Sequence, residues 1–574
     1  MLSRTIEALW GVHISNRPFL KYNPLVLFTL EFLYFAYRHT WEVDPHHDGI
    51  MYTAAVGVYE GKIPNRDFFA QYGPISPVLQ GFWFRFTEPT LWNLKVLTSL
   101  GLAIIGVLIY IGVKRRFSAM TAILLSICWV LTGPFGLPWS SVFSTIFILS
   151  SLLILNFVLS PRERRHTSIS SLIVGLLLAI STYTRIHSIV VFIAVVFGLL
   201  ILRERRKYFR VTVPLVIGFF STFAIITILL FKTNALKPYL DQCILWASGA
   251  YAGGPKISLS YFTNLGWIPL FGMINLFIIW QIFKSKSSKS MYVYLILLGS
   301  ILFYGFLLQF SLWQRSGPQT LRNLKVLAVT SGEKSTFAFN FTILSFFIIL
   351  IICGFRNLTN NYTKSKGLGE PIIYFLITLS TLTQLYPFAD EYHIAFVVPI
   401  ILVASVFVIP EKYRQRAPEN ALQLWAIALI PVLTFNFFVN AKVPRYEFSS
   451  KTLSGMYGSW ITAKPLDQTM IALEREVPGI KFNCADGIYA GAGGRYLSVD
   501  EKFVTWGPPS KSLEYFDREF LCYADDNVIS SYVKSGWKVK FKVLWCPITG
   551  CPNISYWNVL LEKDRSSQIT GGVL

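Results

Sequence analysis

Between Trp41 and Pro77 the chain reads WEVDPHHDGIMYTAAVGVYEGKIPNRDFFAQYGPISP, which places Asp44, His46, His47, Asp48, Glu60, Arg66 and Asp67 in one polar stretch. Carboxylates and imidazoles can take a proton from an incoming hydroxyl, so this stretch is the candidate reaction centre. Asp44 and Asp48 are four positions apart. If a helix runs from Asp48 through Tyr59, then Asp48, Tyr52 and Ala55 share one face and aim a carboxylate and a phenol the same way. Asp48 is the preferred base on that reading. The same residues also fit a solvated turn in which Asp48 only caps a short helix. Asp44, His46 and Asp48 alternate along the chain and, on an extended loop, leave room for a divalent cation; no metal is assigned.

Two further groups of ionisable residues occur far away in the chain. YPFADEYH (Tyr386 to His393) supplies Asp390, Glu391 and His393, and Arg185 with His187 lies between two short apolar runs. Arg66, Arg315, Arg322, Lys325 and Lys334 add cations beside apolar segments. An arginine fork grips phosphate at two points, so these cations fit the phosphate of a lipid headgroup as well as they fit ordinary anionic lipid.

The elements that must hold these groups are apolar. Of 574 residues 53% are hydrophobic and only 14% charged, with a mean hydropathy of +0.49; soluble domains carry about a quarter charged. Runs long enough to cross a bilayer recur up to about residue 440. The apolar runs cover about Pro24 to Thr40, Asn93 to Val113, Ala119 to Phe135, Pro138 to Leu159, Ser171 to Tyr183, Ile189 to Leu202 (these last two rather short) and Val211 to Phe231. Further runs cover Leu265 to Phe283, Met291 to Trp313, Thr336 to Phe355, Pro371 to Leu385, Ile394 to Ile409 and Ala421 to Asn440. The expected architecture is an α-helical polytopic membrane protein of about thirteen spans. The net charge of +21 sits in short clusters between the runs. That is the signature of cytoplasmic loops and excludes a nucleic-acid partner. Alternation puts the N-terminus inside and the 41–77 loop, the Arg185 turn and the tail outside, in the cell membrane. The loop at Gln314 to Ser335 falls outside despite its basic residues. The N-terminus shows no cleavable signal.

From about Ala441 the composition turns polar. Residues 441–574 are expected to form a small extracytoplasmic α/β domain, with a strand at WKVKFKVLW (Trp537 to Trp545). Cys484, Cys522, Cys546 and Cys551 crowd there, as one or two disulfides in an oxidising compartment would require. The 1–440 spans read as free of ionisable groups in their middles, which argues against a transporter or flippase of lipid-linked sugars.

HDGIMYTAAVGVYEGKIPNRDFFAQYGP (His47 to Pro74) resembles the first outer loop of GT-C membrane glycosyltransferases, in the branch with protein O-mannosyltransferases and lipid A aminoarabinose transferases. Asp48, Tyr52, Ala55, Gly61 and Pro74 match that pattern, the DFF–YGP element (Asp67 to Phe69, Tyr72 to Pro74) extends it, and Tyr386, Pro387, Asp390 and His393 resemble a late outer loop of the same branch. Gly49 stands where those proteins often have Glu, so Asp44 remains an alternative base. The resemblance implies a polyprenyl-phosphate sugar donor and a hydroxyl acceptor on a lipid, glycan or protein. It also implies inverting transfer. Asp48 and Asp44 would be catalytic; His46, His47, Tyr52, Arg66, Asp67, Tyr72, Arg185, His187, Arg322, Asp390 and His393 would contact substrate.

Overall fold

The computed structural model describes residues 23–245 except 42, 71, 132–135, 160–166 and 203–204. It also describes 371–408 except 386–390, positions 423, 426, 427 and 430, and 445–563 except 477–479, 484–487, 491, 493–517 and 546–555. Arg322, Asp390, the apolar runs between 265 and 355 and most of the run at 421–440 lie outside the described residues.

Apolar runs become helices close to where the hydropathy places them. α1 is Asn23–His39, followed by two short loop helices, α2 (His47–Tyr59) and α3 (Ile75–Trp83). α4 (Leu91–Lys114), α5 (Ala119–Leu131), α6 (Ser140–Leu159), α7 (Thr167–Thr184), α8 (Ser188–Leu200) and α9 (Arg205–Lys232) follow. A short helix α10 (Leu236–Leu240) and a wider turn (Asp241–Leu245) fold back, and α11 (Pro371–Leu382) and α12 (Glu391–Val408) complete the described helical part. Among the described residues four helices are long and apolar enough to cross a membrane: Leu91–Lys114, Ser140–Leu159, Thr167–Thr184 and Phe209–Lys232. α4 shows how the ends are set. Thr90 is extended and its hydroxyl accepts the Asn93 N–H, while Lys114 closes the far end, a polarity that suits the helix dipole. Its 24 residues rise about 36 Å.

α4 packs on α1, α5 and α6; α6 packs on α7 and α12; α7 lies along α9, and α8 touches α11. The core is aliphatic and aromatic, with Phe35, Leu102, Ile105, Trp129 and Leu149 inaccessible or nearly so. One acid breaks the pattern. Glu31 lies midway along α1, is 3% exposed, and meets the Ser126 hydroxyl at 2.7 Å, while its second oxygen has no partner. The first span is therefore not clean in its middle. The acid fits because residue 106 of α4 is glycine, where any Cβ would collide with the Glu31 carboxylate.

The tail is mixed α/β. β1 (Arg445–Glu447) pairs antiparallel with β2 (Tyr457–Ser459), and α13 (Trp460–Glu474) packs on both. The second sheet has the order β3 (Lys481–Asn483), β4 (Arg518–Ala524), β6 (Tyr556–Lys563), β5 (Trp537–Trp545), with α14 (Asp526–Lys534) beside β5. The expected strand at 537–545 is β5. Cys522 is disulfide-bonded. Three backbone hydrogen bonds tie the tail to the 41–77 loop and its flanks: Tyr457 N–H to Thr40 O (2.6 Å), Ile488 N–H to Pro45 O (3.0 Å) and Leu91 N–H to Thr452 O (2.9 Å).

Candidate functional site

The site is built at the start of α2. Asp44 precedes the helix and caps it: one carboxylate oxygen accepts the backbone N–H groups of His46 and His47, both at 3.0 Å. The other oxygen is 2.8 Å from His47 Nδ1. A carboxylate only accepts, so Nδ1 carries the hydrogen, and whenever His47 is neutral its lone pair is on Nε2. Asp48, one turn on, returns the favour by accepting the Asp44 N–H at 2.9 Å. The two carboxylates thus form a reciprocal cap of the capping-box kind.

Their environments differ sharply. The side chains of Asp44 and His47 are 31% and 33% exposed. Asp48 is sealed at 0%, in an ion pair of 2.8 Å with Lys95 of α4, itself 1% exposed. Burial pushes the Asp48 carboxyl up to about 6, with the Lys95 ammonium pulling the other way. For Asp44 burial also pushes up. The hydrogen bond and charge of His47, with the charge of His46, outweigh it and hold the group at about 2.

Trp139, in the turn before α6, is where the other segments meet. Its ring lies 5.3 Å from that of His47, 5.3 Å from that of His393 on α12 and 6.3 Å from that of Tyr72. Tyr72 is placed by Gly73, whose φ of +130° and contact with the Tyr183 carbonyl exclude a side chain. The Arg185 guanidinium stands 5.4 Å over the Tyr72 ring and donates to the Ser141 hydroxyl at the start of α6. It is 5% exposed. His187 begins α8 beside it. Burial, then Arg185 and His393, push its imidazole down to about 4, so it is neutral at neutral pH.

Asp44, His46, His47, Tyr72, Arg185, His187 and His393 therefore converge, although the chain separates them widely. Asp48 lies just beneath, closed off. Tyr52 points elsewhere: it is fully buried and its hydroxyl donates to Pro89 O at 2.7 Å. Arg66 and Asp67 pair with each other at 2.7 Å on the loop surface, and Arg66 also donates to Thr233 O. Among the described residues no three His, Cys, Asp or Glu side chains are arranged to hold a metal ion; Asp44, His46 and Asp48 fail as a trio because Asp48 turns to Lys95. Lys95, Trp139 and Ser141 were not singled out from the sequence. Each sits at the edge of an apolar run, where Lys and Trp read as membrane-interface anchors.

No protein-family model and no curated protein matches the chain. Among solved structures it is similar to the archaeal oligosaccharyltransferase AglB from Archaeoglobus fulgidus in complex with an inhibitory peptide and a dolichol-phosphate. The TM-score is 0.42 with 13% identity, over 87% of this chain and 61% of that one. The apo form of the Archaeoglobus fulgidus oligosaccharyltransferase gives 0.42 and 14%, over 87% and 62%; its complex with Zn and sulfate gives 0.41 and 12%, over 85% and 58%. The chain spans about three fifths of these proteins' length, and a likeness of this size assigns neither family nor activity.

Proposed function

We propose that the chain is a membrane glycosyltransferase that moves a sugar from a polyprenyl-phosphate carrier to a hydroxyl of a lipid, glycan or protein at the outer face of the cell membrane, with inversion. The observation that carries this reading is the meeting at Trp139 of a partly exposed Asp44–His47 pair and a buried guanidinium, Arg185, from distant segments. Such a transfer needs a proton acceptor for the incoming hydroxyl and a cation for the departing phosphate. The resemblance of the His47–Pro74 motif to GT-C first loops supports the same reading.

Sequence spacing favours Asp48 as the base. Burial and the Lys95 pair close that carboxylate off, and the role passes to Asp44 with His47. Asp44 fixes the imidazole through Nδ1, and Nε2 takes the proton of the acceptor hydroxyl as its oxygen attacks the anomeric carbon. The bond from that carbon to the phosphate oxygen breaks in the same displacement. Its electron pair stays on the lipid phosphate, whose charge Arg185 meets. A divalent cation is optional for a leaving lipid phosphate.

The test is release of polyprenyl phosphate by the purified full-length protein, offered a panel of polyprenyl-phosphate sugars with lipid, glycan and peptide acceptors. Turnover with at least one donor, abolished by His47→Gln, is expected. No turnover with any donor, or full turnover by His47→Gln, overturns the proposal.

A further inference from the structure

Beneath the exposed pair lies a charge that the proposed reaction does not touch. Lys95 is in the first turns of α4, Asp48 in the first turn of α2, and the two are almost wholly enclosed at 2.8 Å. A buried ion pair is a poor way to gain stability, because desolvation offsets most of the attraction and apolar residues of the same volume hold a core as well. This pair is also incompletely satisfied: Asp48 Oδ1 is buried with no hydrogen-bond partner. What the pair does have is a path to the site. Lys95 holds Asp48 Oδ2; the same oxygen accepts the Asp44 N–H at 2.9 Å; and the Asp44 carboxylate fixes His47 Nδ1 at 2.8 Å. His39 of α1 is near enough to Lys95 to feel its charge and is bonded through Nδ1 to the Ser99 hydroxyl.

Resting on the glycosyltransferase reading above, we infer that Lys95 is a positioning residue. Its ammonium keeps Asp48 ionised, and ionised Asp48 holds the Asp44 backbone so that the Asp44 carboxylate meets His47. A charged acceptor bonds an N–H roughly twice as strongly as a neutral one. Without Lys95 the link from Asp48 to Asp44 therefore weakens, although neither residue has left.

The test uses the full-length protein in detergent with isotope-labelled histidine. His47 resonances are assigned by their loss in His47→Gln, and Lys95→Met is compared with wild type. Lys95→Met is expected to lower the His47 titration midpoint, because the imidazole loses its fixed carboxylate, and to lower kcat at least about tenfold with the donor KM unchanged. If Lys95→Met does not fold, Asp48→Asn with Lys95→Met removes both charges and is read the same way. An unchanged His47 titration in whichever variant folds overturns the inference, as does a change confined to KM. Wild-type protein that transfers no sugar would sink the functional reading alone, since the His47 titration needs no turnover.

Discussion

Replacing Asp44 with Asn separates the two tasks of that carboxylate. Holding the group at about 2 against an ordinary 3.8 is worth about 2 kcal/mol at neutral pH, less some solvent screening at its exposed edge. The sign follows from the direction. The folded value is depressed, so this stability is present above 3.8 and is lost as the pH falls toward 2. Asp44→Asn should therefore melt a few degrees lower than wild type at pH 7, with the gap closing below pH 3. The Asn carbonyl can still accept the His46 and His47 N–H groups, so the helix start should survive. Turnover is different: an amide neither carries the charge that steadies an imidazolium nor fixes the imidazole tautomer, and loss of this kind of assistance costs about 10²–10⁴-fold. The assay is polyprenyl phosphate release alongside thermal unfolding across pH. A variant that keeps turnover within about threefold of wild type would show that the Asp44–His47 pair handles no proton.

Arg185→Ala should raise the donor KM, and Arg185→Lys should not restore it, because a point charge neither forks onto phosphate nor stacks on Tyr72; rescue by Lys would reduce the guanidinium to a simple charge. Gly106→Ala should destabilise the fold by about 1–3 kcal/mol, since the methyl group meets the Glu31 carboxylate. Adding Glu31→Ala should recover most of that loss, and an undisturbed melting curve for Gly106→Ala would disprove the contact. His187 resists protonation, so its contribution to stability is full above 6.5 and falls as the pH drops toward 4. His187→Gln should flatten that part of the melting-temperature profile, and an unaltered slope would remove the assignment.

Apolar run length located the helices because a bilayer-length stretch of Leu, Ile, Val and Phe leaves the backbone few alternatives. The run expected at about Asn93 to Val113 is Leu91–Lys114. Alternation of Lys with Val, Phe and Leu was enough for β5. The loop motif marked α2 and the neighbourhood of the candidate site. It left unsettled which carboxylate faces outward, because two acids one helical turn apart differ only in how the helix is rotated against α4. That rotation is fixed by Lys95, a tertiary partner with no local signature. Trp139 carried no signal either, since its role is to touch residues from three other segments. Glu31 was hidden by its surroundings: averaged over a span, one acid barely lowers the hydropathy.

The bonds from the tail to the first loop have a consequence for how the molecule is made. Thr40 O, Pro45 O and the Leu91 N–H find their partners on Tyr457, Ile488 and Thr452, which leave the ribosome only after the helical part has been synthesised. Until then the Leu91 N–H at the start of α4, one of the groups a helix cannot satisfy from within, lacks the Thr452 carbonyl that it meets in the folded protein. A polypeptide interrupted before residue 452 would carry the side chains of the candidate site without any of these three backbone bonds to the first loop and its flanks.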